Sequence, residues 1–145
     1  MRILKSIYEE IINNVPEHMP ESGGMLGGNN NTITSVVFDE GKQDEYRHCH
    51  YTPNVKRLNS ILLEWAEKDI EFYGLFHTHF HSVSTLSEGD ITYIKNILDA
   101  MPESKKLLYF PIVVLPEKEI ISYCCTMNGL ELNIVQDSVE CVETL

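Results

Sequence analysis

The sequence predicts a single α/β domain in which one mixed β-sheet is flanked by helices. Two segments carry apolar residues at helical spacing, a capping signal at residues 87–90 predicts a third helix, and short apolar runs predict strands, so the elements follow the order αββαβαβββ. A chain of 145 residues with 43% hydrophobic residues can bury one core, whereas two domains would each be cramped. We therefore expect one domain over residues 1–145.

The first half of the chain predicts an amphipathic helix followed by a β-hairpin. The helix is indicated by apolar residues at positions 3, 7, 11 and 15, which lie on one helical face. Residues 25–28 and 32–38 are typical of strands, and Asn29-Asn30-Asn31 between them predicts a turn.

The second half predicts two further helices and four strands. An apolar stripe over residues 55–65 predicts a helix that leads into a strand over residues 70–76. A third helix is expected over residues 88–101, and closing strands over residues 107–115, 120–126 and 130–135. Pro111 predicts a bulge or an edge strand, because proline cannot donate a hydrogen bond to a sheet ladder.

The most informative segment is residues 77–90, where His77-Thr78-His79 is followed at a distance by Ser87-Glu88-Gly89-Asp90. Residues two apart on a strand face the same side, so both imidazoles can point at one ion. Catalytic zinc sites use three protein ligands, typically imidazole nitrogens and carboxylate oxygens, and keep a fourth position open. We expect His77, His79 and Asp90 to bind one zinc ion per chain.

Each part of this segment also has a simpler explanation. Alternating histidines are common on half-solvated strands, and Ser87-x-x-Asp90 is close to a helix capping box. The two interpretations are compatible, because a cap at Ser87 would place the Asp90 carboxylate beside the start of the helix.

A second candidate element lies upstream, at Glu21-Ser22-Gly23-Gly24-Met25-Leu26-Gly27-Gly28. An acidic residue before a glycine-rich strand places a carboxylate next to closely packed backbone. A zinc hydrolase needs a carboxylate that is not a ligand, to accept a proton from the attacking water. Glu21 is the candidate for this role.

Together these two segments resemble the JAMM (MPN-plus) zinc metalloproteases. The positions that match the family's pattern are Glu21, Gly24, Leu26, Gly28, His77, His79, Ser87 and Asp90. One departure is Phe80, where family members usually carry proline after the second histidine. The resemblance covers most of the chain and implies an α/β sandwich of the MPN/cytidine-deaminase-like type.

The resemblance also implies an activity. A small, stand-alone, prokaryotic enzyme of this kind would be an isopeptidase or peptidase that cleaves after the C-terminal tail of a ubiquitin-like protein, with the tail laid as a strand beside the site. Glu21 would be the general base and Ser87 would stabilise the oxyanion. Removal of a modifier and processing of a precursor stay open. The alternative is an inactive MPN-type scaffold in a larger assembly.

Other histidines offer further possibilities. His81 continues the alternation, so a site with three histidines is conceivable, although the chain is expected to leave the strand near Phe80. His48-Cys49-His50 forms a second pair in a polar stretch, for which an exposed segment is the simpler explanation than a second metal site. His18 is expected in a surface loop near Glu21.

Competing metal-site families fit less well. The chain has no His-Glu-x-x-His, which excludes a zincin, and no Asp between the later histidines, as a metallo-β-lactamase would need. A TIM-barrel amidohydrolase needs about 200 residues or more. A cupin would need its glutamate nearer to His79 than Glu88 lies.

Charge and cysteine content limit partners and compartment. The net charge of −11 argues against nucleic acid and is compatible with either a basic protein partner or a solvated surface. The four cysteines have no CxxC spacing and are expected to be reduced, mostly buried thiols of a cytoplasmic protein. Charges within residues 1–15 argue against a signal-peptide core, and no apolar run is long enough to span a membrane. The oligomeric state is left open.

Overall fold

The structure is a computed structural model that describes residues 1–41 and 51–144. Within these ranges the elements are β1 (Arg2–Leu4), α1 (Lys5–Asn14), β2 (Gly23–Asn29), β3 (Thr32–Asp39), α2 (Val55–Glu67), β4 (Glu71–His79), α3 (Glu88–Ala100), β5 (Leu107–Tyr109), β6 (Ile112–Val114), β7 (Glu119–Asn128), β8 (Glu131–Asp137) and β9 (Glu140–Val142).

All of these strands belong to one mixed sheet with β4 in its interior. β2 pairs with β4 antiparallel on one side, and β5 and β6 pair with β4 parallel on the other. Beyond β2 the sheet continues through β3 and β1 to β9, and beyond β5 and β6 it continues through β7 to β8. α3 makes the crossover that a parallel connection from β4 to β5 requires.

Helices cover both faces of the sheet. Ile11 of α1 and Val15, which follows the helix, belong to a core cluster that includes Phe76 of β4. On the opposite face, α2 and α3 pack against a second cluster that includes Leu75. Neighbouring residues of β4 therefore point to opposite faces, as a strand requires. This arrangement confirms the predicted mixed sheet flanked by helices.

The hairpin between β2 and β3 turns at two asparagines. Asn30 and Asn31 both have positive φ, 52° and 59°, and the flanking residues Asn29 and Thr32 are paired. Two consecutive residues with positive φ are typical of the type I′ turn, whose twist matches that of a two-residue hairpin. The predicted hairpin and its turn are confirmed.

Two predicted elements were wrong in detail. Ile3 lies in β1 rather than in the opening helix, because it pairs with Ile33 and only later residues turn helical. The single strand expected over residues 107–115 is interrupted between β5 and β6. Its register against the neighbouring strands is the same on both sides of the break, so Pro111 marks neither a bulge nor an edge.

The cysteines are less uniformly buried than expected. Cys125 is buried, Cys124 is half-buried and Cys141 is exposed, and all three are free thiols. Burial raises the pKa of Cys125 to about 12, so this thiol is not reactive. Cys49 lies outside the described residues. Among the described helices, none has the length and apolar character needed to cross a membrane.

Candidate metal centre

The two candidate histidine ligands lie at the end of β4, on the face covered by α2 and α3. His77 and His79 are buried, with 3% and 6% of their surface exposed. Thr78 between them faces the other way: its hydroxyl oxygen accepts a hydrogen bond from the Ser22 N–H at 3.0 Å. The chain leaves the strand after His79, as expected. Strand alternation thus places both imidazoles on one side.

The third candidate ligand, Asp90, lies in the first turn of α3. Ser87 and Asp90 form the predicted capping box, in which the Ser87 hydroxyl oxygen accepts from the Asp90 N–H and the Asp90 carboxylate accepts from the Ser87 N–H. The same carboxylate faces both histidines, with Oδ1 3.2 Å from His77 Nε2 and Oδ2 3.3 Å from His79 Nε2. The two Nε2 atoms are 2.8 Å apart.

These separations suit a shared cation. Two ligands of one tetrahedral zinc ion lie about 3.3–3.5 Å apart when each bond is about 2.0–2.1 Å long. The two distances between histidine and aspartate fall close to this value, and the distance between the two imidazoles is shorter. The two Nε2 atoms and the Asp90 carboxylate therefore face one another across a small space, and a small outward movement of the rings would admit an ion.

The Asp90 carboxyl is stabilised in its charged form. Burial raises its pKa, but hydrogen bonds and the charge of the facing histidines, together with the Ser87 N–H, outweigh burial and hold the pKa well below its usual range. Burial lowers the pKa of His79, but Asp90 outweighs this and the net pKa is raised. The carboxylate thus attracts positive charge, whether a proton or a metal ion.

The nitrogen of each imidazole that points away from Asp90 lacks a hydrogen-bond partner in the part of the chain that the structure describes. Nδ1 of His77 and Nδ1 of His79 are buried and have no hydrogen-bond partner among the described residues. The Val83 backbone raises the pKa of His79, but without good hydrogen-bond geometry. Metal-bound histidines commonly donate through their second nitrogen, so this outer layer of contacts differs from the usual arrangement.

Glu21 lies two residues before the start of β2, beside the two imidazoles. One of its carboxylate oxygens and one nitrogen of each histidine all lie within 4.8 Å of one another. Its Oε2 also accepts a hydrogen bond from the Tyr51 backbone N–H at 3.3 Å. The structure thus brings together all four charged or imidazole groups that the sequence predicted, with a second carboxylate at the side of the cluster.

Ser87 completes the predicted set at the edge of the cluster. Its hydroxyl oxygen accepts from the Asp90 N–H at 3.1 Å and its side chain is exposed. Among the described residues the hydroxyl proton has no acceptor, so it is available to donate.

Two cavities meet at this cluster. One, of about 430 Å³, is lined by Glu21, His79, Phe80 and the loop that follows it. The other, of about 270 Å³, lies on the His77 side. Ser87 and Asp90 line both, so the donor atoms lie at the centre of a cleft that is open on two sides. Phe80 forms part of its wall.

An apolar groove continues from the second cavity. It has a volume of about 750 Å³ and runs between α2 and α3. Val55, Leu75 and Tyr93 line both the groove and the smaller cavity. The cleft at the histidines is therefore connected to a hydrophobic channel between the two helices.

The remaining candidate histidines lie apart from the cluster or outside the described residues. His81 is exposed, has a φ of 57° in the turn after β4, and lines the larger cavity without joining the group of converging donors. His18 is exposed in the loop before Glu21, as predicted. His48 and His50 lie outside the described residues.

Two residues near the cluster were not predicted. Asp39, at the end of β3, is 5% exposed and accepts a hydrogen bond from the Tyr51 hydroxyl at 2.7 Å. The Tyr51 ring is nearly parallel to the His77 imidazole, at 17° with centroids 6.4 Å apart. No local pattern relates these residues, because Asp39 ends an ordinary apolar strand and Tyr51 lies twelve positions later.

Comparison with solved structures places this fold among known ones. Over 99% of this chain, it is similar to the crystal structure of a JAB1/MPN domain protein from Archaeoglobus fulgidus, with a TM-score of 0.55, 16% identity and 100% of that chain covered. The fold is MPN-like. A solution structure of a Desulfitobacterium hafniense protein gives a TM-score of 0.67 at 16% identity, covering 99% of this chain and 94% of that one.

A third solved structure is also similar to this chain over almost its whole length. A solution structure of a Salinibacter ruber protein has a TM-score of 0.57 at 14% identity, and covers 99% of this chain and 92% of that one. The sequence matches no family model and no curated protein. At these identities the similarities establish the fold alone.

Proposed function

We propose that this chain is a zinc-dependent hydrolase that cleaves a peptide or isopeptide bond after the C-terminal tail of a ubiquitin-like protein. The observation that carries the proposal is the convergence of His77, His79 and Asp90, whose donor atoms lie 2.8–3.3 Å apart with Glu21 beside them. The JAMM-like sequence pattern and the MPN-like fold support the same conclusion.

The donor set favours zinc over other cations. Two imidazole nitrogens and one carboxylate oxygen are typical of catalytic zinc sites, whereas magnesium and calcium prefer oxygen ligands. A zinc ion held by His77, His79 and Asp90 would supply Lewis acidity and lower the pKa of a water molecule in the cleft.

The other residues provide proton transfer and charge stabilisation. Glu21 accepts a proton from the attacking water as the water oxygen bonds to the amide carbon, and passes it to the leaving nitrogen as the C–N bond breaks. The Ser87 hydroxyl donates to the carbonyl oxygen as negative charge develops there. Both side chains face the cavity that contains His79.

The sheet limits how a substrate tail can bind. β4 is paired on both sides among the described residues, and the outer strands of the sheet are β8 and β9. A tail bound as an extended strand beside the site would therefore not pair with β4 itself. We propose instead that an extended tail crosses the two-sided cleft, where Phe80 narrows the wall and favours small residues such as glycine.

The test compares two fusion proteins in the presence of zinc. One joins a ubiquitin-like protein through its C-terminal glycine to a reporter, and the matched control ends in bulky residues. We expect cleavage of the first only, at a rate that falls with added salt if the acidic surface assists docking.

The other possible outcomes contradict different parts of the proposal. Equal cleavage of both fusions would contradict selection of a small tail, and cleavage of neither by zinc-loaded protein would contradict the proposed substrate. Protein that purifies without stoichiometric zinc and does not regain it would favour the scaffold alternative. An isopeptide-linked conjugate assayed beside the linear fusion separates removal of a modifier from precursor processing.

A further inference from the structure

Asp39 is a buried carboxylate for which the proposed chemistry has no direct use. Three of its contacts lie in residues 51–57: Oδ2 accepts from the Tyr51 hydroxyl at 2.7 Å and from the Asn54 N–H at 3.0 Å, and Oδ1 lies 3.8 Å from the Arg57 guanidinium. The side chain therefore holds the start of α2 and the residues before it against the end of β3.

Asp39 shares one row of the sheet with the metal cluster. Asp39 of β3 pairs with Gly23 of β2, which pairs with His77 of β4. Paired residues of neighbouring strands project to the same face, so the Asp39 and His77 side chains stand on either side of a glycine. The Tyr51 ring fills this space, since a Cβ at Gly23 would lie 2.8 Å from the ring.

Tyr51 links this row to Glu21. Its hydroxyl is held by Asp39, and its backbone N–H donates to Glu21 Oε2 at 3.3 Å. Burial and the neighbouring Asp39 raise the pKa of Tyr51, so its hydroxyl stays protonated and remains a donor. Fixing the ring between Asp39 and His77 therefore also fixes the amide that contacts the Glu21 carboxylate.

We propose that Asp39 and Tyr51 are positioning residues for Glu21: Asp39 anchors the Tyr51 ring over Gly23, and the Tyr51 amide aims the Glu21 carboxylate at the histidine pair. The catalytic part of this inference rests on the proposed function, in which Glu21 is the base. The anchoring part does not depend on catalysis and can be measured in metal-free protein.

The first test measures amide hydrogen exchange by NMR in metal-free protein. Tyr51→Phe removes the hydroxyl and keeps the ring, and should raise the exchange rate of the amide at position 51 by about tenfold because the ring is no longer anchored. Glu21→Ala should expose the same amide. Tyr73→Phe is the matched control, since the Tyr73 hydroxyl is also buried and accepts from the Asn31 N–H. Unchanged exchange at position 51 in Tyr51→Phe would overturn the proposal.

The second test separates positioning from folding. In Asp39→Ala and Tyr51→Phe, kcat per folded, zinc-loaded molecule should fall by about 10- to 100-fold with KM unchanged, because a displaced base slows the chemical step. Asp39→Asn should restore part of the rate, since its amide oxygen can still accept from Tyr51. The proposal would be overturned if the fall in kcat were explained entirely by unfolded protein. It would also be overturned if kcat fell equally in Tyr73→Phe.

The two tests fail independently. If the wild-type protein cleaves no substrate, the proposed function is wrong, and the exchange measurement still decides whether Asp39 and Tyr51 hold Glu21 in place.

Discussion

Ser87 has two separable roles, which two substitutions distinguish. Its hydroxyl oxygen caps α3 through the Asp90 N–H, and its hydroxyl proton is proposed to stabilise the oxyanion. Ser87→Ala removes both and should cost about 1 kcal/mol of unfolding free energy, the usual value for a lost N-cap. Ser87→Gly also removes the hydroxyl but should cost only a few tenths of a kcal/mol, because glycine is tolerated at this position.

Removing the Ser87 hydroxyl should not displace Asp90. The reciprocal bond from the Ser87 N–H to the Asp90 carboxylate, at 2.9 Å, uses backbone and remains in both variants. Asp90 should therefore keep its place, and zinc content should stay near one equivalent. In thermal unfolding, Ser87→Ala should lower Tm by about 2–4 °C, and Ser87→Gly by less.

The rate of hydrolysis should not follow the ranking of the two variants by stability. Both variants lose the same proposed donor, so kcat should fall by about 10²–10³-fold in each. The assay is hydrolysis of the glycine-ended fusion by protein matched for zinc content. A rate that tracks stability, with Ser87→Gly close to wild type, would refute the oxyanion role and leave Ser87 as a helix cap only.

Three further substitutions test the site and the strand beneath it. His77→Ala should lower bound zinc well below one equivalent by elemental analysis, while His81→Ala, outside the converging group, should keep it; the reverse result would move the ligand to His81. Glu21→Gln should keep zinc and lose hydrolysis, because an amide cannot accept the proton from water, and a wild-type rate would exclude Glu21 as the base. Gly24→Ala should lower the unfolding free energy by about 1–3 kcal/mol in urea, since its Cβ would lie 2.2 Å from the Val37 carbonyl oxygen. Gly89→Ala is the control, because its Cβ would meet only Ser87 Oγ at an ordinary contact distance of 3.7 Å, and an equal effect in both variants would contradict this explanation.

The parts of the site that follow from short-range sequence rules were predictable. Strand alternation puts His77 and His79 on one side, and the spacing of Ser87 and Asp90 predicts a capping box. That Asp90 returns to within 3.3 Å of both imidazoles depends on how α3 packs over the sheet. Helical periodicity does not specify this distance, and the expectation came from the family resemblance.

Long-range contacts and short strands were not predictable in the same way. Asp39 and Tyr51 meet because Gly23 leaves a gap beside Asp39 in the sheet, which the Tyr51 ring fills. Ile3 fits the helical spacing of the following residues, so its position in a three-residue strand is decided by pairing with Ile33. Pro111 interrupts an interior strand without shifting its register, which contradicts the usual confinement of proline to edges and bulges.

The glycines of β2 also bear on how such a protein can change through evolution. At each of its four glycines, an added Cβ would lie 2.0–2.5 Å from a neighbouring atom, so every single-codon change to a larger residue there would meet a clash. Most residues of the loop 81–86 are exposed and line the cleft without such constraints. Substitutions that change substrate preference would therefore accumulate in that loop. The glycines of β2 would stay unchanged, because any larger side chain there would clash with its neighbours.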